Sequence, residues 1–285
     1  MINFAKRNFK IFFKDKSAVF FSLLSVLIII GLYALFLSDV FASEMSDIPN
    51  ARFLMDSWIV AGLLAVTSIT STMGAFGIMV DDKAKKIVKD FNSSPVTQKE
   101  IAGGYILGAF AIGVIMCLIA LAFTELYIVA NGGSFISFFT FIKVTGLIIL
   151  STFSGTSMVL FVVSFFKSIN AFATASTIVG TLIGFLTGIY LPVGQLPDAV
   201  QIIVKVFPVS HAAALFRQVM MEVPLSKSFE GAPAGAVEEF EQLMGVTFKF
   251  GETEVSSTAS IFVLLITAVL FYGLSILNLS RKTKR

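Results

Sequence analysis

The chain has 285 residues, 56% hydrophobic and 14% charged, with a formal net charge of +3 and a mean hydropathy of +0.90. A soluble domain carries roughly 25% charged residues, so the composition excludes a soluble globular protein and points to a polytopic membrane protein, which the apolar runs below make an all-α one. The small positive charge is a membrane signal and gives no reason to expect nucleic acid, while the single cysteine, Cys117, excludes an intramolecular disulfide and cannot form a thiolate metal site alone.

Residues 1–16 precede any apolar run. Ile2, Ala5, Phe9 and Phe12 form one helical stripe, and Asn3, Lys6, Arg7, Lys10 and Lys14 form another, the pattern of an interfacial helix lying in a headgroup layer. The apolar stretch 17–37 exceeds the roughly 7–15 residues of a signal-peptide core. It reads as a first span rather than a cleaved signal ending near Val40-Phe41-Ala42. A polar loop, 38–56, leads to a second span, 57–80, with Trp58 at its outer edge, where an indole prefers the membrane interface. Thr67, Thr70, Ser71 and Gly74 share a face of this span. Small polar residues there serve helix packing or line a pathway, with packing the preferred reading.

Residues 81–104 read DDKAKKIVKDFNSSPVTQKEIAGG. At helical spacing Ala84, Ile87, Val88 and Phe91 fall on one face and the lysines elsewhere. Asn92-Ser93-Ser94-Pro95 stops this helix, because a residue before proline is pushed away from helical geometry. Thr97-Gln98-Lys99-Glu100 has capping-box spacing and starts a new helix at the head of an apolar run. A helix, a break and a capped restart fit a docking device at a membrane surface. A plain solvated loop fits the same pattern.

Spans three and four, 101–130 and 135–166, are joined by the turn Asn131-Gly132-Gly133-Ser134. Each exceeds the roughly 20 residues a crossing needs. Glu125 and Lys143 flank that turn, and a lone charge in a span costs on the order of 3 kcal/mol, so the two are expected to pair with each other. In the fifth span, 171–191, and just before it, Asn170, Thr174, Thr177, Thr181, Gly184 and Gly188 recur at three- and four-residue steps. That face lets another helix approach closely and is expected to pack, with a pathway lining as the lesser reading.

Residues 192–257 open with two apolar segments, 197–207 and 210–221, parted by Pro208. Each is about 16–18 Å long as a helix, too short to cross, which suits a re-entrant hairpin in the outer leaflet. The acidic stretch that follows has no legible role, although 246–250 alternates like a strand. A sixth span, 258–279, ends in Arg281, Lys282, Lys284 and Arg285. Residues 1–16, 81–100, Lys167 and the tail hold most of the 21 lysines and arginines, which places them, and both termini, in the cytoplasm.

Two stretches resemble a known family. The SP-containing segment after the second span, followed by a polar pair and a glycine-bearing apolar run, resembles the coupling region of ABC type-2 permeases, the membrane subunits of ATP-driven exporters. LPDAVQIIVKVFPVSHAAALFRQ resembles the proline-led helix pair ahead of that family's last span, with Pro197, Pro208 and Arg217 at the matching positions. The family pattern places an acid and a glycine early in the coupling helix; here Asp81 and Asp82 supply the acid, and lysines stand where the glycine would be. The resemblance implies one permease domain over residues 1–285. It implies docking of an ABC ATPase subunit through Ile87, Val88, Phe91, Pro95 and Thr97, with ATP and magnesium bound by that subunit. A second permease of the same or a homologous chain is implied too, within the lipid of a bacterial cell membrane.

This chain has no G-x-x-x-x-G-K-[ST] motif of its own. Its one histidine, His211, excludes two-histidine metal sites, and no serine stands in a recognisable nucleophile setting. An exporter permease for an apolar or amphipathic cargo is therefore the reading the resemblance favours. The residues alone also allow a non-transporting scaffold or sensor that recruits a cytoplasmic partner. A secondary transporter would need ionisable groups near the midplane, which these spans scarcely carry.

Overall fold

The computed structural model describes residues 1–33, 35, 48–93, 95–166 and 168–283. The far end of the first expected span, most of the loop after it, Ser94, Lys167 and the last two residues lie outside the described residues. In chain order the helices are α1 (Ile2–Lys14), α2 (Lys16–Leu32), α3 (Ala51–Ala84), α4 (Val88–Asn92), α5 (Gln98–Ala130), α6 (Phe138–Val163), α7 (Ile169–Leu186), α8 (Asp198–Val206), α9 (Pro208–Met220), α10 (Glu222–Ser228), α11 (Ala234–Leu243) and α12 (Ser257–Thr283). A two-residue hairpin, β1 (Lys249–Phe250) with β2 (Thr253–Glu254), precedes α12, so the alternation read at 246–250 becomes a strand only at its end. Among the described residues five helices, α3, α5, α6, α7 and α12, are long and apolar enough to cross a membrane, or up to seven if the bent pairs α1–α2 and α8–α9 each count as one. The protein is an all-α, multi-pass membrane protein.

Everything packs on α3. Residues 54–69 are all buried, because this run is apolar or small on every side apart from Asp56, whose carboxylate accepts from the Tyr127 hydroxyl at 3.3 Å, and a helix apolar nearly all round belongs inside. The other spans bury one side and leave apolar residues outward, as a lipid-facing helix should: Ile178 and Leu182 on α7, Ile266 and Val269 on α12 are all more than half exposed. α3, α5 and α6 approach closely along a seam of small residues. A Cβ on Gly113 would lie 2.7 Å from the methyls of both Thr72 and Thr152, and one on Gly155 would lie 2.7 Å from Ile69. Ser68 and Ser151 join hydroxyls across the seam at 2.8 Å. Thr67 and Ser71 are buried completely, and Thr67 Oγ1 donates to the carbonyl of Leu63 at 2.7 Å. Both lie inside the packed protein of the single chain.

The end of α3 near Trp58 is covered by the stretch that had no legible role. Trp58, expected at the lipid interface, is 1% exposed. Its Nε1 donates to the carbonyl of Met244 at 2.7 Å, and Leu54, Met55, Met221, Leu225, Phe240 and Val246 close around it. Folding of 222–246 back over the helix supplies the polar partner that lipid headgroups would otherwise give. α8 and α9 meet at 83°. Phe207 is held extended by the following proline, and Pro208, at the first position of α9, lacks an N–H that would be unpaired there anyway. The two short helices read on either side of Pro208 are present, bent sharply at that proline. His211 and Ser260 tie α9 to α12 at 3.1 Å; both are buried, a packing contact rather than an exposed nucleophile.

Arg217 fastens this end. It is fully buried, its guanidinium 4.7 Å from the centre of the Trp58 ring. Its two terminal nitrogens donate to the carbonyls of Gly245, 3.3 Å, and Gly188, 3.4 Å. Gly245 has φ +66°, and a Cβ there would lie 2.7 Å from Val193 and 3.3 Å from Arg217. Gly231 also has positive φ, +81°, but open space around it. Gly245→Ala should therefore lower the melting temperature in detergent clearly more than Gly231→Ala. The latter carries only the backbone cost of about 1–2 kcal/mol, and equal losses would show that the crowding at Arg217 is without effect.

Candidate functional site

The candidate site is the opposite end of α3, where residues 81–104 meet α1. The helix that α3 forms does not stop at the second span; it runs on to Ala84, so Asp81 and Asp82 are its last turn. Asp82 faces inward and its side chain is 4% exposed. Three donors converge on it: Arg7 through both terminal nitrogens, at 2.8 and 3.0 Å, and the hydroxyl of Tyr105 at 2.6 Å. A forked guanidinium on a carboxylate is among the strongest polar contacts available to a protein, and the bond with Asp82 holds Arg7 even more firmly protonated than usual. Asp81 turns outward and pairs with Lys85 at 2.7 Å.

The chain then reverses. Lys86 has φ +63°, a left-handed position where a side chain costs about 1–2 kcal/mol. This is the stretch where the family pattern has glycine and this chain has lysines. α4 follows as five residues, shorter than the amphipathic pattern implied, because the preceding turn and the break before Pro95 consume its ends. Thr97 and Glu100 form the expected capping box: Glu100 accepts from the Thr97 N–H at 3.0 Å, and Thr97 Oγ1 accepts from the Glu100 N–H at 3.3 Å. The chain's first amine lies 3.5 Å from Glu100 as well.

α1 lies across this segment. Its inner face is Ala5, Asn8 and Phe12, whereas Ile2 of the expected stripe is exposed. The stripe shifts because α1 packs on protein at α5, where glycines allow close approach. A Cβ on Gly104 would lie 2.7 Å from Phe4, and Asn8 Nδ2 reaches the Gly104 carbonyl at 3.4 Å. Phe4 meets both Phe91 and Tyr105 edge-on at 5.0 Å, and Arg7 lies 5.0 Å over the Phe91 ring. Phe91, one of the expected docking residues, is thus partly covered by the chain's own first helix. Ile87 and Val88 are half-buried, and Pro95 and Thr97 are exposed. The triad Arg7, Asp82 and Tyr105 had no signal in sequence beyond an acid at the end of an apolar run.

Two other expected groupings come out differently. Glu125 and Lys143 do not pair. Glu125 accepts the N–H of Ile136 at 3.0 Å, and Lys143 lies 3.5 Å from Glu222 of α10. They flank one turn but project from different sides of their helices. The small-residue face of α7 is broken. Asn170, Thr174, Thr177 and Thr181 are exposed, with each threonine hydroxyl donating to its own helix. Gly184 instead meets Tyr190 of the same chain, 2.3 Å from where its Cβ would be, and Gly188 lies beyond the helix at φ +67°. Pro197, Pro208 and Arg217 belong to the far end of the molecule, described above.

The family model described as "ABC-2 family transporter protein" matches residues 50–277, from the start of α3 into α12. Nodulation protein J of Sinorhizobium fredii (strain NBRC 101917 / NGR234) is 26% identical over 181 residues, 64% of this chain and 66% of that protein. The chain thus spans just under two thirds of that relative's length.

Two outcomes test the geometry. Arg7→Met should destabilise the protein, because it leaves a buried carboxylate opposed only by Tyr105, and adding Asp82→Asn to that background should restore part of the loss. A double variant that melts no higher than Arg7→Met would show that the buried charge is not the cause. Lys86→Gly should be neutral or stabilising by about 1 kcal/mol. Lys89→Gly, within α4, should cost about as much; thermal unfolding of both in detergent compares them directly.

Proposed function

Because the chain belongs to the ABC-2 family of transporter proteins, we propose that it is the permease of an ATP-driven exporter, with a separate ABC ATPase subunit docking on residues 81–100. The observation that carries this is the Asp82 junction. It joins the end of α3 to α1 and to the first turns of α5, so a push on the short α4 reaches two spans at once. The chain lacks a P-loop, so ATP and its magnesium belong to the partner. Ile87, Val88, Pro95 and Thr97 are the surface offered to that partner, and Phe91 holds the segment against α1. A scaffold or sensor role is set aside, since the family is one of transporter proteins.

The rest of the reading is of a piece with this. The basic residues support a cytoplasmic location for α1, residues 81–100 and both termini, with residues 192–257 outside, in a bacterial cell membrane. The cargo is apolar or amphipathic (a drug, an antimicrobial peptide or a lipid-like molecule), for the spans offer little charge to bind anything else. A second permease, the same chain or a homologue, covers the exposed row Asn170, Thr174, Thr177 and Thr181. Val88→Asp should release the ATPase, because docking would then bury an unpaired carboxylate in an apolar contact. Pro95→Ala should spare docking more than export, since it loosens only the angle at which α5 is pushed. Co-purification with ATPase and export assays reads both; full retention of partner and export by Val88→Asp would place docking elsewhere.

A further inference from the structure

We propose that the small pocket beside Glu125 binds a primary ammonium group carried on an apolar molecule. The inference stands apart from the docking site and rests on different residues. Glu125 sits on α5, two turns before the Asn131-Gly132-Gly133-Ser134 reversal, and is 6% exposed. One carboxylate oxygen accepts the Ile136 N–H at 3.0 Å. The other, Oε1, is buried with no hydrogen-bond partner among the described residues. The nearest basic residue in sequence, Lys143, is engaged with Glu222. A buried carboxylate half-satisfied in this way is costly unless a donor, preferably a cation, completes it.

Glu125 lines a pocket of about 40 Å³ between the reversal, the start of α6 and α10. The other polar lining is hydroxyl. Ser57 spends its proton on the Phe53 carbonyl at 2.8 Å, which leaves its oxygen free to accept, and Ser137 and Thr140 share a bond at 2.9 Å. The remaining walls are apolar, Phe53, Met220 and Val223 among them. Three properties of this lining select the ligand. A single carboxylate with hydroxyl acceptors suits a group with three N–H donors. The buried oxygen without a partner calls for a donor, which a trimethylammonium, having no N–H, does not supply. The apolar walls suit the methylenes next to the nitrogen. One carboxylate gives too few anionic ligands to favour a divalent metal, which takes six to eight oxygens in the calcium case.

Such an ammonium has two sources, an aminophospholipid headgroup or a free alkylamine-like solute. The full chain, purified in a neutral detergent, is titrated with octylammonium chloride, and with octyltrimethylammonium chloride and octanol as controls. Octylammonium alone should raise the melting temperature, by about 3–5 °C near saturation. The shift should vanish in Glu125→Gln. It should vanish also in Val223→Trp, which narrows the mouth and leaves the carboxylate in place, so the test survives if one variant does not fold. No shift in the wild-type chain, or an equal shift with the controls or in either variant, overturns the proposal and leaves a pocket that holds water or a proton only. Reconstitution in phosphatidylethanolamine or phosphatidylcholine vesicles then separates the sources. A resident headgroup raises the melting temperature in phosphatidylethanolamine and removes the octylammonium shift there, whereas a free amine gives the same shift in both.

Discussion

A guanidinium buried in an apolar protein must replace the water it has left, and Arg217 does so at its two terminal nitrogens, with no carboxylate beside it among the described residues and its Nε without a partner there. Its substitutes are two carbonyls and one aromatic face, at Gly188, Gly245 and Trp58. These three come from the end of α7, from the stretch after α11 and from α3, while the arginine itself rides on α9. No two of these elements satisfy the charge alone. The four must therefore assemble together, and the folded stretch 222–246 ceases to be an appendage: it supplies one of the carbonyls and, through Met244, the acceptor for the indole. A lysine would not do the same, since only the planar fork can lie on a ring and donate in two directions at once.

The other end of α3 uses the opposite solution. There the buried group is an acid, Asp82, and an arginine reaches it from outside, its own side chain still 30% exposed. Between these two fastenings α3 is buried for most of its length, and α5 and α6 meet it through glycines and short hydroxyl side chains. Protein interiors this close-packed are stiff. At the α4 turn the Tyr105–Asp82 contact holds α3 and α5 to each other.

How much of this was legible depended on distance along the chain. The Thr97–Glu100 capping box, the Pro208 bend and the apolar helices rest on local patterns of three to twenty residues, and the structure has the capping box, the bend and five long apolar helices among the described residues. What the local patterns could not carry were contacts between remote elements. Arg7 and Asp82 are 75 residues apart, and Trp58 and Met244 are 186 apart, with nothing in either neighbourhood to announce the other. Nearness misled at Glu125 and Lys143, because helical phase, not separation from the turn, decides which side chains meet. The α7 stripe is cut short for a related reason. Its spacing assumes an unbroken helix, and α7 ends at Leu186, so Gly188 left the face it had been counted on.

The same ending gives α7 an uneven mounting. At its Gly188 end it is tied to Arg217 and pressed by Tyr190. Near its other end it touches α3 through Phe172, whose ring would stand 3.3 Å from a Cβ on Gly77; only 11% of its most apolar stretch is buried. A rod anchored firmly at one end and lightly at the other behaves as a lever. At 1.5 Å per residue, a tilt of about 10° about Gly188 carries Ile169 sideways by about 5 Å, roughly half the spacing between packed helices.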